Sequence, residues 1–153
     1  GYFALPAARI VEPKPVYAVD LDETLLAELD RIAGRQAIEN VVPIHGDARD
    51  LTEVLPDPVD TLVVANTFHG VGDQSGFVER AFHAIEPGGS LIVVNWHERS
   101  RETTTVGSEP RGPPTDLRMT PAETEGAVRS VAAFDLDRQV DLPPYHYALV
   151  FDR

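Results

Sequence analysis

Two aspartates stand directly after strand-like stretches, where their carboxylates can accept hydrogen bonds from a ligand. Asp20 ends VYAVD (16–20), and Asp47 ends NVVPIHGD (40–47). Ligands of parallel α/β sheets bind at the carboxyl ends of the strands. Gly1 lies roughly 20 residues before Asp20, the spacing at which a glycine turn approaches a nucleotide and an acid accepts its ribose hydroxyls. A strand-end aspartate is also a common helix cap, so both interpretations stay open.

Three histidines are candidate proton acceptors or metal ligands. His69 follows the apolar run VDTLVVAN, and His97 follows SLIVVNW. His146 opens the last strand-like stretch, and if that strand is antiparallel its start lies at the same edge as the ends of the others. Trp96 and Tyr145 are their neighbours. A histidine without a catalytic role is the alternative for each, and a metal site is disfavoured because no pair has tight helical spacing.

The elements that must position these residues alternate between helix and strand, which predicts a mostly parallel α/β sheet. The predicted strands are 16–20, 40–47, 59–66, 90–96, 134–141 and 146–152. The predicted helices are 4–11, a helix from an Asp22 cap to about Gly34, a helix around Phe77–Ile85 stopped by EPGG, and a helix from TPAE (120–123) to about Ala132. The last two strands are close enough in sequence to form an antiparallel pair.

Residues 98–119 break this alternation and are rich in Thr, Pro, Gly and Arg. A loop of this length is typically a lid, a binding loop or a disordered segment. Arg111 and Arg118 within it are candidates for holding an anionic substrate, and solvated loop cations are the alternative.

The composition limits the kinds of partner. The 153 residues predict one domain, and the net charge of −12 disfavours nucleic-acid and membrane partners. A small-molecule ligand fits this charge better, although a high-salt or GC-rich source also explains it. The chain contains no cysteine, which excludes disulfides and thiolate metal sites. No signal-like or membrane-spanning run is visible, so the expected location is cytoplasmic.

The motifs in this order resemble class I S-adenosylmethionine-dependent methyltransferases of the type 11/25 kind. The segments that carry the resemblance are VYAVDLDE, VVPIHGDARDL, VANTFHG and EPGGSLIVVNW, followed by the antiparallel pair. The resemblance covers residues 1–153 and implies a Rossmann-like sheet, mostly parallel with an antiparallel last strand and helices on both faces. It also implies one domain with a lid-like loop at 98–119, S-adenosylmethionine as cofactor and a small-molecule methyl acceptor.

The resemblance assigns roles near the first two predicted strands. It implies that Asp20 holds the cofactor's ribose hydroxyls and that Leu21 packs beside the adenine. Asp47 would accept the adenine amino group, and the Ala48 N–H would meet a ring nitrogen. Gly1 matches the last glycine of the family's glycine-rich loop.

The resemblance also assigns roles near the later strands. The stretch from Asn66 to Phe68 would pass the methionine part of the cofactor. His69 lies nearest the expected methyl position and is therefore the candidate catalytic base. The candidates for substrate contacts at the same edge are Trp96, His97, Arg118, Tyr145 and His146.

The sequence departs from the family at its beginning. The family's first strand, its acid and the earlier glycines would lie before residue 1, so the first strand is expected to be absent from this chain. A truncated form, a partner chain in the gap or a rearranged sheet are the expected explanations, and an exposed sheet edge favours a homodimer.

Two other functions are alternatives to methyl transfer. One is a catalytically inactive, methyltransferase-like binding or dimerisation domain, which the absent strand favours. A nicotinamide-dependent oxidoreductase is disfavoured, because it predicts a Tyr-x-x-x-Lys pair and the single lysine, Lys14, precedes the strand at 16–20.

Overall fold

The computed structural model describes residues 1–153 and divides them into two units, Gly1–Pro56 and Asp57–Arg153. The single domain expected from the sequence stays a prediction. The first unit contains α1 (Ala4–Val11), β1 (Val16–Asp20), α2 (Glu23–Arg35), β2 (Val41–His45) and α3 (Leu51–Val54). The second unit contains β3 (Val59–Ala65), α4 (Gln74–Ala84), β4 (Ile85–Trp96), β5 (Thr105–Val106), β6 (Glu109–Pro110), α5 (Pro121–Arg129), β7 (Asp135–Leu142) and β8 (His146–Asp152).

The first unit packs two helices on a two-stranded sheet. β1 and β2 are parallel, with Val16 opposite Val41 and Asp20 opposite His45. The buried core of this unit comes from α1, α2 and the turn after α2, and it consists of Leu5, Ala8, Leu29, Ala33 and Ile38. The parallel register places the ends of both strands, and the loops that follow them, at one edge.

Both ends of α2 lie close to the predicted positions. The Asp22 carboxylate caps the helix by accepting the N–H groups of Thr24 and Leu25, at 2.8 and 3.3 Å. The helix ends at Arg35, one residue past Gly34, and the left-handed residue that follows it is Ala37, with φ of 52°. The Ile38 N–H donates to the Ala33 carbonyl at 3.0 Å, which brings Ile38 into the core and sets where the helix stops.

The second unit is built on a four-stranded sheet with the order β3-β4-β8-β7. β3 is parallel to β4, and β8 is antiparallel to both β4 and β7. This confirms the parallel sheet with an antiparallel last strand. β3 was expected to be a central strand, but it lies at the edge of this sheet, and Val63 on it is 47% exposed.

The glycines after α4 lie inside a strand, although the sequence predicts a strand only from residue 90. The strand β4 already begins at Ile85, with Gly88 in left-handed backbone at φ of 84°. Gly89 packs so closely that a Cβ there would lie 2.6 Å from the Asp60 carbonyl oxygen. The two glycines therefore let β4 continue past β3 through a register irregularity.

The helix α5 begins at the predicted TPAE segment, with a capping box. The Thr120 side chain accepts the Glu123 N–H, and the Glu123 carboxylate accepts the Thr120 N–H at 2.7 Å. The helix ends at Arg129, one turn earlier than expected. The chain contains no helix that is both long and apolar enough to cross a membrane.

The segment 98–119 has regular local structure, although it has no hydrophobic periodicity. It contains two 3₁₀ turns, Arg101–Thr103 and Thr115–Leu117, and the two-stranded hairpin of β5 and β6. Its structure therefore depends on anchors elsewhere in the second unit.

We predict opposite effects for the same substitution at two exposed alanines, one just after α2 and one within it. Ala37→Gly removes the strain of a Cβ in left-handed backbone and should raise the free energy of unfolding by about 0.5–1 kcal/mol. Ala27→Gly, in the helix interior, is the matched control and should lower it by about 1 kcal/mol. Urea unfolding followed by circular dichroism measures both free energies. A loss of stability in both variants would contradict the left-handed conformation of Ala37.

Candidate functional site

Asp20 lies at the carboxyl end of β1 and holds the turn that leads into α2. Its Oδ1 accepts the Asp22 N–H at 2.9 Å, and its backbone carbonyl accepts the Gly46 N–H at 3.1 Å. The Asp20 side chain is exposed, and the neighbouring Leu21 is 64% exposed. An acid and an apolar side chain thus stand together in solvent at the end of this strand. Neither side chain belongs to the buried core of the first unit.

Asp47 lies at the same end of the sheet, after β2. Its Oδ1 accepts the Arg49 N–H at 2.8 Å, and its Oδ2 accepts the Arg49 Nε–H at 2.8 Å. The Asp47 carboxylate raises the pKa of Arg49. Ala48, which begins the 3₁₀ turn after Asp47, is exposed. Any amino group that binds Asp47 must therefore share the carboxylate with Arg49.

Gly1 lies beside the start of α1 in the same unit. Its carbonyl accepts the Leu5 N–H at 3.3 Å. A Cβ at this position would lie 3.2 Å from Leu5 Cδ1 and 3.4 Å from Leu29 Cδ1. The close packing favours glycine here.

In the second unit, Asn66 follows β3 in an unfavourable conformation. Its φ is 58°, in the left-handed region, and its N–H donates to the Val94 carbonyl at 2.8 Å. Its side-chain Oδ1 is buried and accepts no hydrogen bond. Backbone strain and an unpaired buried acceptor both cost free energy, and such features concentrate at functional sites.

Phe68 belongs to the core rather than to an open surface. Its side chain is 0% exposed, and its ring lies 6.1 Å from that of Phe77. Its carbonyl accepts the Gln74 Nε2–H at 3.0 Å. A contact between a cofactor and this residue would therefore involve its backbone.

His69 lies in the short 3₁₀ turn Phe68–Gly70, which packs against β4. Burial lowers the pKa of His69, the side chain of Asn95 partly opposes this, and the positive charge of Arg118 adds to it. The imidazole is consequently neutral at pH 7 and able to accept a proton.

A buried polar network beside His69 was not among the predicted site residues. Asn95, Thr124 and Tyr147 are 1%, 0% and 0% exposed. Thr124 Oγ1 lies 2.7 Å from the Tyr147 hydroxyl and 3.3 Å from Asn95 Nδ2. Burial raises the pKa of Tyr147. The one sequence signal for this network was Asn95, a polar residue inside the apolar run SLIVVNW.

The histidines after β4 and at the start of β8 are brought together. His146 lies opposite Trp96 in the register, with ring centroids 4.2 Å apart, and its buried Nε2 makes no hydrogen bond. Burial lowers the pKa of His146, and the nearby His97 and Arg118 lower it further. The His97 Nε2 lies 2.9 Å from Asp141 Oδ1. No group of three or more His, Cys, Asp or Glu side chains is arranged to hold a metal ion.

Trp96 is covered by its neighbours. The Tyr145 ring stacks on it with centroids 6.1 Å apart and an angle of 16° between the planes. Gly112 lies against the indole so closely that a Cβ there would meet Cδ2 at 2.7 Å. The indole therefore anchors the segment 98–119.

Arg118 is a second anchor of this segment and is 7% exposed. Its Nε and two terminal nitrogens make five hydrogen bonds, which use every N–H of a guanidinium. The acceptors are the carbonyls of Pro113, His97, Arg99 and Arg111 and the Thr104 hydroxyl. An anionic substrate would have to displace one of these bonds to reach Arg118, whereas Arg111 is exposed.

The sequence of residues 1–89 matches the family model described as a methyltransferase domain. The tRNA(Phe) (4-demethylwyosine(37)-C(7)) aminocarboxypropyltransferase of Methanocaldococcus jannaschii is 29% identical over 102 residues, which are 67% of this chain and 37% of that protein. The chain therefore spans little more than a third of the length of this curated relative.

Solved structures share the fold. A SAM-dependent methyltransferase from Aquifex aeolicus aligns with a TM-score of 0.77 at 21% identity, covering 97% of this chain and 74% of that one. A putative type 11 methyltransferase from Sulfolobus solfataricus has a TM-score of 0.73 at 21% identity, with 100% and 78% covered. The plantazolicin methyltransferase BamL, solved in complex with SAH, has a TM-score of 0.77 at 9% identity, with 97% and 71% covered.

The family match covers more than half of the chain, and the motif order, the sheet direction and the shared fold agree with it. The chain thus belongs to the methyltransferase domain family, and its fold is that of class I SAM-dependent methyltransferases of the type 11/25 kind.

Proposed function

We propose that this domain transfers a methyl group from S-adenosylmethionine to a small-molecule acceptor, with His69 as the base. The observation that carries the proposal is the end of β3, where Asn66 is held in left-handed backbone with a buried, unpaired amide oxygen. The neutral His69 follows it within the next turn. A cofactor ammonium group is a suitable partner for the Asn66 oxygen.

The residues of the first unit fit the adenosine part of the cofactor. The exposed Asp20 carboxylate would accept the ribose hydroxyls, and the exposed Leu21 would pack beside the adenine. Asp47 would accept the adenine amino group in competition with Arg49, next to the Ala48 N–H. Gly1 would lie close to the cofactor, because it matches the last glycine of the family's glycine-rich loop.

The residues of the second unit fit the methionine part and the acceptor. Asn66 and the backbone of Phe68 would contact the methionine part. The bound cofactor supplies an electrophilic methyl group, so the protein's work is to align the acceptor and to exclude water. His69 would take the acceptor's proton where methylation requires deprotonation.

The acceptor side is proposed from the cluster after β4. His97, Tyr145 and His146 would contact the acceptor. Trp96 and Arg118 would act by holding the segment 98–119 in place, because both are already engaged within the protein.

A small molecule is the proposed acceptor, although the curated relative acts on tRNA according to its name. The net charge of −12 repels a phosphate backbone, and non-specific nucleic-acid binding depends on neutralising phosphates with Lys and Arg. A cytoplasmic location remains part of this proposal.

The proposal is tested by incubating the protein with methyl-labelled S-adenosylmethionine and either tRNA or a small-molecule metabolite fraction. Label is expected in the small-molecule fraction and not in tRNA, because of the protein's acidic surface. Incorporation into tRNA, with none into small molecules, would overturn the acceptor class and leave the methyltransferase assignment in place.

A second prediction concerns the proposed ribose contact. Asp20→Ala should raise the Kd for S-adenosylhomocysteine about 5- to 150-fold, or roughly 1–3 kcal/mol, because two ligand hydroxyls lose their acceptor. Isothermal titration calorimetry measures it. Asp30→Ala, an exposed acid on α2 of the same unit, is the control and should leave the Kd unchanged. Equal affinities for all three proteins would remove Asp20 from the site.

A third prediction concerns pH. Because the pKa of His69 is lowered, the free-base form persists below the ordinary histidine value of about 6.5. The acidic limb of kcat/KM should therefore have its midpoint below about 6.5. His69→Ala should remove this limb and reduce the rate about 10²- to 10⁴-fold. His83→Ala, an exposed histidine on α4, is the control, and an unaltered profile in His69→Ala would make His69 a bystander.

A second candidate function is an inactive binding or dimerisation domain, favoured by the exposed edge strand β3. It predicts no calorimetric signal with S-adenosylhomocysteine together with a concentration-dependent dimer in analytical ultracentrifugation. Cofactor binding with methyl transfer would exclude it.

A further inference from the structure

We propose that the hydroxyl groups of Thr124 and Tyr147 orient the Asn95 amide so that its oxygen accepts a hydrogen bond from the His69 ring. Asn95 is then a positioning residue for the proposed base. This inference rests on the role of His69 proposed above and adds three residues, Asn95, Thr124 and Tyr147, that were not among the predicted site residues.

The direction of the hydrogen bonds follows from one fixed acceptor. The Tyr147 hydroxyl lies 2.9 Å from the Met119 carbonyl oxygen, which can only accept, so the Tyr147 proton is used there. The Thr124 hydroxyl, 2.7 Å from the Tyr147 oxygen, must then donate its proton to Tyr147. Each hydroxyl has one proton, so Thr124 has none left to give to Asn95.

The remaining bond determines which way the amide points. The end of the Asn95 amide that faces the two hydroxyls lies 3.3 Å from Thr124 Oγ1 and 3.5 Å from the Tyr147 hydroxyl oxygen. Both hydroxyl protons are used elsewhere, so the group of Asn95 that faces them has to be the NH₂ donor. The opposite orientation would place a carbonyl oxygen against two oxygens with no proton between them.

The amide oxygen consequently faces away from Thr124 and Tyr147. Asn95 is 1% exposed, and its Oδ1 is buried with no hydrogen-bond partner. The turn that contains His69 packs on β4, the strand that carries Asn95, and the Asn95 side chain acts to raise the pKa of His69. A ring N–H of His69 is therefore the donor available to Oδ1, since leaving a buried acceptor unpaired costs free energy.

This contact selects one tautomer of the neutral imidazole. The ring nitrogen that faces Asn95 carries the proton, so the other nitrogen presents its lone pair. Asn95 also opposes the effect of burial on the pKa of His69, whereas the charge of Arg118 acts in the direction of burial. The network thus sets both which nitrogen is basic and how basic it is.

The test is the titration of His69 followed by NMR of ¹⁵N-histidine-labelled protein without cofactor. Thr124→Val removes the hydroxyl with little change in shape. The Asn95 amide then loses its fixed direction, and we expect the pKa of His69 to fall by about 0.5 and a mixture of tautomers to appear. Thr124→Ser, which keeps a hydroxyl, should restore the wild-type titration and tautomer.

The matched control is Val128→Thr, the reverse exchange at a fully buried position of the same helix α5. It should lower stability by burying a hydroxyl and should leave the His69 titration unchanged. If Thr124→Val does not fold, Tyr147→Phe provides a second perturbation of the network. It should likewise produce a mixture of His69 tautomers.

A His69 titration and tautomer that remain as in the wild type in folded Thr124→Val and Tyr147→Phe would overturn the proposal. The readout does not depend on activity. A failure of methyl transfer or of S-adenosylhomocysteine binding would contradict the proposed function, but it would not contradict the NMR result on the His69 tautomer.

Discussion

The Tyr147 hydroxyl is the point on which the polar interior of the second unit depends. Its single proton goes to the Met119 carbonyl, at the end of the segment 98–119, and its oxygen accepts from Thr124 on α5. Through Thr124 the same chain of bonds reaches Asn95 on β4. In a low-dielectric interior each of these bonds is strong and each loss is costly. One hydroxyl on β8 thus fixes the relation between a helix, a loop end and the strand that lies beside His69.

The segment 98–119 is held by two further contacts of different kinds. Arg118 saturates its five donors on backbone carbonyls and one hydroxyl, and Gly112 rests on the face of Trp96. A guanidinium is suited to this work because its rigid fork satisfies several carbonyls that a loop without regular pairing would leave unbonded. The long Thr- and Pro-rich stretch is therefore structured and packs against Trp96 at the end of β4.

In the first unit the same acidic side chains serve structure and are available for binding. Asp22 caps α2, Asp20 holds the turn before that cap, and Asp47 caps the 3₁₀ turn after β2. A capping carboxylate is fixed in place by backbone N–H groups, which reduces the conformational entropy that a ligand contact would otherwise cost. The sequence leaves open whether a strand-end aspartate caps a helix or contacts a ligand. The structure resolves this in part, because Asp22 caps α2 and Asp20 is exposed.

The sequence by itself determined the order and bounds of most helices and strands, because these follow from local periodicity and caps such as Asp22 and the Thr120–Glu123 box. It also placed His97 and His146 at one edge, since strand direction follows from connection length. Only the tertiary structure decided that the left-handed residue after α2 is Ala37, that β3 is an edge strand, and that Arg118 and Trp96 hold the segment 98–119. The physical reason is that these features depend on contacts between residues that are far apart in the sequence. Ile38 packs into a core, β3 pairs with a neighbour on one side only, and the backbone carbonyls around Arg118 need hydrogen-bond donors. The buried Asn95 was visible as a polar residue in an apolar strand, but its orientation is set by Thr124 and Tyr147, which only the fold brings to it.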